Sequence, residues 1–131
     1  MDICVTRPVF DQLLAEAAGA APEECCGILL GRKDAIESAH SATNVAAQPL
    51  RCFEIDPQAL VDAHRAARSG GPQVLGYYHS HPLGRAEPSA TDRARAAHDG
   101  RIWAIVGEGD VTFWRDEEAG FVPLSYTVED R

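Results

Sequence analysis

The sequence predicts a single α/β domain spanning residues 1–131, a mixed sheet flanked by helices. Three observations predict it. Segments with helical spacing alternate with apolar, strand-like runs as far as Ala97. Strand-like runs dominate the remainder. A chain of 131 residues with 45% apolar content can bury one core, and it shows no linker, repeat or low-complexity tract.

The elements follow in order. Residues 3–6 read as a short strand. Thr6 can cap a helix that opens on Arg7-Pro8, where proline is tolerated. Val9, Phe10, Leu13, Leu14 and Ala17 give that helix one apolar face, and Gly19 ends it. Residues 25–31 form an apolar run suited to a central strand, with Glu24, Cys26, Ile28 and Leu30 on one face. Residues 35–43 and 50–55 are weaker strand candidates. Asp56-Pro57 opens a second helix through Arg68, which Ser69-Gly70-Gly71-Pro72 stops. Residues 74–81 read as a strand whose Leu75, Tyr77, His79 and His81 share a face. After a loop over 83–88, residues 89–97 form a third, short helix. Strands at 102–106, 111–114 and 121–128 complete the chain, and Gly107-Glu108-Gly109-Asp110 suits a hairpin turn.

Composition narrows function. Twelve basic against 20 acidic residues leave a net charge of −8, which argues against a nucleic-acid partner. No apolar run approaches the ~20 residues of a membrane span. The first residues carry neither a basic nor an apolar leader pattern, so the expectation is a cytoplasmic protein. Cys4, Cys25, Cys26 and Cys52 form no CxxC pair and read as reduced, inert thiols.

The chemistry concentrates in His79-Ser80-His81-Pro82 and Ser89-Ala90-Thr91-Asp92. Two histidines two residues apart on a strand project from the same face. Alone, that pattern also describes a polar strand face near a turn. Ser89 and Asp92 read equally as a helix N-cap with a carboxylate in the first turn. Taken together, Asp92 falls where a third ligand can reach the histidines, and one carboxylate with two imidazoles suits zinc. Three protein ligands leave one position open, as in catalytic rather than structural zinc sites. Glu24, on a face that continues into the core, is the candidate base; Glu23 reads as a solvated strand end. His40, His64 and His98 read as ordinary surface or satisfied histidines. Phe53, Tyr77, Tyr78, Trp103 and Trp114 read as core aromatics in preference to a substrate groove.

The pattern Glu24, His79-Ser80-His81-Pro82, seven residues from Pro82 to Pro88, then Ser89-Ala90-Thr91-Asp92 resembles the JAMM (MPN+) zinc metallopeptidase motif, matched at every position. Pro22-Glu23-Glu24-Cys25-Cys26-Gly27, Asn44-Val45-Ala46 and Phe53-Glu54-Ile55-Asp56-Pro57 resemble the compact prokaryotic members. The resemblance implies the JAMM fold, related to cytidine deaminases. It implies Zn²⁺ on His79, His81 and Asp92, Glu24 as general base, and Ser89 as a donor to the tetrahedral oxyanion.

Within the family, this chain looks most like the small bacterial peptidases that act on sulfur carriers. The expected partner is a ubiquitin-like (β-grasp) carrier ending in Gly-Gly, cut after its last glycine to release, for example, cysteine. Two alternatives stand beside it: an isopeptidase acting on lysine-linked conjugates, and a zinc-binding scaffold without turnover. A zinc deaminase would need His-x-Glu and Pro-Cys-x-x-Cys, and neither is present.

Overall fold

The computed structural model describes residues 2–130; Met1 and Arg131, the ends of the expected domain, lie outside the described residues. The elements run β1 (Ile3–Thr6), α1 (Arg7–Ala20), β2 (Cys26–Arg32), β3 (Ala35–Ala42), α2 (Pro57–Arg68), β4 (Gln73–His81), α3 (Ala90–Arg95), β5 (Ile102–Gly107), β6 (Asp110–Glu117), β7 (Gly120–Leu124) and β8 (Tyr126–Glu129). All eight strands join one sheet in the order β7-β6-β5-β4-β2-β3-β1-β8. The β1–β3, β1–β8 and β4–β5 pairs are parallel and the others antiparallel, so the sheet is mixed.

The sheet curls because of its own connectivity. β7 and β8 lie at opposite ends of the strand order, yet only Ser125 separates them in the chain. The two ends must therefore approach one another, with α1 enclosed on the concave side. Val9 and Leu13 of α1 pack there with Ile3, Leu29, Tyr78 and Phe113. The Tyr78 hydroxyl, buried in this core, donates to Glu16 Oε1 of α1 at 2.8 Å. A smaller cluster on the other face packs Cys26, Ile28 and Leu30 against Ala63 of α2 and Ile55. Glu24, His79 and His81 belong to this second face.

Local structure departs from the sequence expectation at three places. Residues 50–55 form no strand. Their amides turn back on Gln48 O or bond to the Asn44 side chain, leaving a single bridge between Asn44 and Ile55. The expected strand over 121–128 is two strands. Its break, Ser125, exchanges hydrogen bonds with Asp2, so the chain leaves β6 on one side and joins β1 on the other. The alternation of β4 is also interrupted. Leu29 pairs with Gly76 and Leu30 with Val74, so Leu75 is an extra, bulged residue. It packs into the α1 core, while Tyr77 lies with the opposite cluster. The expected shared face therefore holds for Tyr77, His79 and His81 and fails for Leu75.

Smaller shifts are end effects. α1 runs through Gly19 to Ala20. α3 stops at Arg95, where Ala96 turns extended. The β5–β6 hairpin turns on Glu108 and Gly109, both with positive φ, as a two-residue type I′ turn requires.

Candidate active site and metal centre

β4 is held between β2 and β5, with His79 opposite Cys26 on one side and Ile105 on the other. Both imidazoles emerge at the C-terminal end of the strand. α3 starts beyond the following loop. Ser89 caps it: its Oγ accepts from Asp92 N, and Asp92 Oδ2 accepts from Ser89 N, both at 3.0 Å. The capping box fixes the carboxylate at the helix start, facing the histidines.

Three ligand atoms converge there. His79 Nε2, His81 Nε2 and Asp92 Oδ2 form a triangle with every side 3.1 Å. His79 and Asp92 are buried. His81 Nδ1 donates to Arg85 O at 2.8 Å, which leaves a lone pair on Nε2 of the neutral ring. Electron-rich atoms packed this closely need a proton or a cation between them. Tetrahedral ligands about 2.0 Å from zinc stand about 3.3 Å from each other, so the triangle fits one face of a zinc site. Glu24 lies just outside: its carboxylate and the two histidines offer ligand atoms within 4.8 Å of one another.

Burial shapes the titration of the group. It pushes Glu24 up to about 7, with Asp92 adding to the rise and His81 opposing it. Burial likewise pulls His79 down, against its hydrogen bond to Asp92. His81 also loses by burial, but its bonds to Asp92 and the Arg85 carbonyl leave it raised. Burial opposes ionisation of Asp92, and the two histidine hydrogen bonds outweigh it, holding the carboxyl below its ordinary range.

The fold brings all five candidate residues together: Glu24, His81 and Ser89 line one cleft, and His79 and Asp92 contact His81 there and each other. Sequence reasoning missed the residues that position them. Ser80 Oγ accepts from Cys25 N, tying the segment that bears Glu24 to the histidine strand. Asn44 donates to Glu24 O and Cys52 O and accepts from Ala46 N and Glu54 N. Phe53 stacks on His79, and Trp103 meets the same ring edge-on. Only the position of Asn44, just past a strand end in Asn44-Val45-Ala46, hinted at such a role.

Among the aromatics, Tyr78 is buried in the core as expected; Trp103, though buried, lines a cavity beside Asp92 together with the half-buried Phe53 and Tyr77. Trp114 is half-buried too, its indole donating to Thr112 Oγ1. Cys26 is a buried thiol pushed up to about 12 by burial, so it is inert beside Glu24. All four cysteines are free. His40 and His98 are exposed and His64 is half-buried on α2. No helix among the described residues is long and apolar enough to cross a membrane.

The model of a family described as prokaryotic homologues of the JAB domain matches residues 6–117. The chain belongs to the JAB (JAMM) family. A desampylase of Haloferax volcanii is 42% identical over 118 residues, 86% of this chain and 84% of that protein. A probable TtuB-protein conjugate cleaving protease of Thermus thermophilus is 36% identical over 88 residues, 67% of this chain and 59% of that one. Solved structures agree on the fold. A protein from Desulfitobacterium hafniense superimposes with a TM-score of 0.87 at 27% identity, covering 98% of this chain and 94% of its own. A structure described as a JAMM metalloprotease-like zinc site in the proteasome and signalosome gives 0.64 at 18% identity, over 99% and 100%. This JAB-family chain is a JAMM-type peptidase, and its Glu24, His79 and His81 form a group that could hold a metal ion.

Proposed function

We propose that the protein hydrolyses the amide that joins the C-terminal Gly-Gly of a ubiquitin-like protein to an amine. The observation that carries the reaction is the 3.1 Å triangle of His79, His81 and Asp92 with Glu24 beside it. His79, His81 and Asp92 hold the metal. Zinc bound there supplies a Lewis acid that polarises the scissile carbonyl and acidifies water. Glu24, whose carboxyl titrates near neutrality, takes the proton of the attacking water and delivers it to the leaving amine. The Ser89 Oγ already accepts from Asp92 N, so its own proton stays free to donate to the oxyanion.

The names of the desampylase and of the TtuB-conjugate protease support a protein conjugate as substrate, which this reading takes to be linked through a lysine. Trimming of a sulfur carrier, with cysteine as the leaving group, is the second reading. The short connection from His81 to Ser89 favours it, because it adds no large platform around the cleft. A tail of two glycines suits either, since it enters a narrow cleft extended and without side chains.

Intact-mass analysis of two substrates decides between them. One is a Gly-Gly-ending carrier linked to a lysine side chain, the other the same carrier extended by cysteine. Zinc-loaded enzyme is expected to release the carrier from at least the first, and Glu24→Gln and chelator to stop it. Release from neither substrate, with zinc bound, would overturn the proposal.

A further inference from the structure

Two loops form the lips of the cleft, and each is bonded to a site residue. In the first, the Arg51 and Cys52 amides donate to Gln48 O at 3.0 Å, and the Pro49 carbonyl accepts from Glu24 N at 2.9 Å. In the second, the Arg85 carbonyl accepts from His81 Nδ1 at 2.8 Å, Gly84 N donates to His81 O at 3.2 Å, and Ala86 O accepts from the Thr112 hydroxyl. This second loop lies directly on the end of β5. A Cβ on Gly107 would come within 2.7 Å of backbone atoms at Gly84, Arg85 and Ala86.

Each loop presents a leucine to water. Leu83 is 96% exposed and Leu50 is 59% exposed. Both line the same cleft of about 370 Å³ as Glu24, His81 and Ser89. The other large exposed apolar side chains among the described residues, Val45, Val61 and Val122, do not line it. A single exposed leucine carries no meaning. Two, on separate loops that line the reacting cleft and are tethered to its working residues, form a prearranged contact that gains by burial.

We propose that Leu50 and Leu83 are paired docking residues for the side chains immediately upstream of the partner's Gly-Gly end, and that they select apolar ones. The inference rests on the substrate class proposed above. The occupant is the substrate itself, because the chain whose amide is cut must pass between lips that flank Glu24, His81 and Ser89. The two glycines offer nothing for a leucine to hold. They span about 7 Å when extended, so the next side chains upstream are the first that can meet the lips.

The experiment uses zinc-loaded Glu24→Gln protein, in which a bound ligand is not cut. The probes are two fluorescein-labelled peptides, one ending Leu-Val-Gly-Gly and one ending Ser-Ser-Gly-Gly, each joined through the last carbonyl to a lysine side chain. Fluorescence polarisation is expected to show the apolar probe binding about tenfold more tightly. Leu83→Ser and Leu50→Ser should each shrink that ratio toward one, and Val122→Ser on β7 should leave it intact. Both leucines are solvent-facing, so serine at either does not threaten folding. No preference in the parent protein, or an undiminished preference in both serine variants, overturns the proposal. Cleavage of the same probes by the protein with Glu24 intact separates the two readings. Cleavage without preference removes the lips and keeps the hydrolase; preference without cleavage does the reverse.

Discussion

Phe53 lies nearly flat on His79, with ring centroids 4.2 Å apart and planes at 19°. His79 Nδ1 is buried and has no hydrogen-bond partner among the described residues. A metal-binding histidine is ordinarily oriented by a hydrogen bond on its other nitrogen. His81 has one, from Nδ1 to the Arg85 carbonyl. His79 is oriented by an aromatic wall, Phe53 on its face and Trp103 on its edge. The wall is tied to the helix that carries Asp92, because Arg95 of α3 donates to Phe53 O at 3.2 Å.

Replacing the ring while keeping apolar bulk isolates that effect. Phe53→Leu is expected to weaken zinc binding about tenfold, the lower end of what loss of an orienting group costs, and Phe53→Tyr to leave it near the parent value. Competition with a fluorescent chelator measures both. Parent-like affinity in Phe53→Leu would mean that the ring only fills space.

Ligand and base separate by substitution. Asp92→Ala removes the carboxylate oxygen shared by both histidine contacts and by the side-chain half of the capping box, so zinc should be lost on dialysis. The same change removes a first-turn carboxylate and leaves the Ser89 amide without its partner, so the unfolding midpoint should fall as well. Glu24→Gln should keep stoichiometric zinc by metal analysis and lose hydrolysis. An active Glu24→Gln enzyme would remove Glu24 from the mechanism.

The pH–rate profile tests the same residue. Glu24 works as a base only when ionised, and burial pushes its carboxyl up to about 7. Activity should therefore rise with pH along an acid limb and level off above it. A cation beside the carboxylate favours the ionised form, so the limb in zinc-loaded enzyme should lie at or below 7. A profile of kcat/KM that is flat through this region would contradict the assignment.

Asn44 uses all four of its amide hydrogen-bonding positions, two as donor and two as acceptor. Asn44→Asp keeps the acceptors and turns an oxygen toward the Glu24 and Cys52 carbonyls. The base and the Phe53 loop should shift together. The expected result is a fall in kcat of about tenfold with zinc still bound, as a small misplacement of a reacting group produces. Asn44→Asp with parent kcat would show that the loop is held without it.

The candidate site was legible in the sequence because its chemistry is local. His79 and His81 share a face through strand alternation, and Ser89 and Asp92 lie within one helical turn. Spacing therefore pointed to His79, His81 and Asp92 as a ligand set, while the role of Ser89 came from the resemblance to the JAMM motif. Glu24 needed its apolar strand to be read as central. Leu75 shows where such reading stops. Alternation assigned it to the histidine face, and a bulge set by pairing with β2 moved it into the α1 core. Residues 50–55 show the same limit, since their amides satisfy themselves on Gln48 and Asn44 rather than on a neighbouring strand.

The sequence by itself determined the α/β class, most of the elements, the family and the identity of the chemical groups, all of which depend on residue type and short-range period. The tertiary structure alone decided the curl of the sheet, which follows from Ser125 joining strands at its two ends. It alone decided the aromatic wall behind His79, the fourfold role of Asn44 and the presence of Leu50 and Leu83 on one cleft. Each of these joins residues from different elements, and such contacts depend on pairing register and loop course, which no local period encodes.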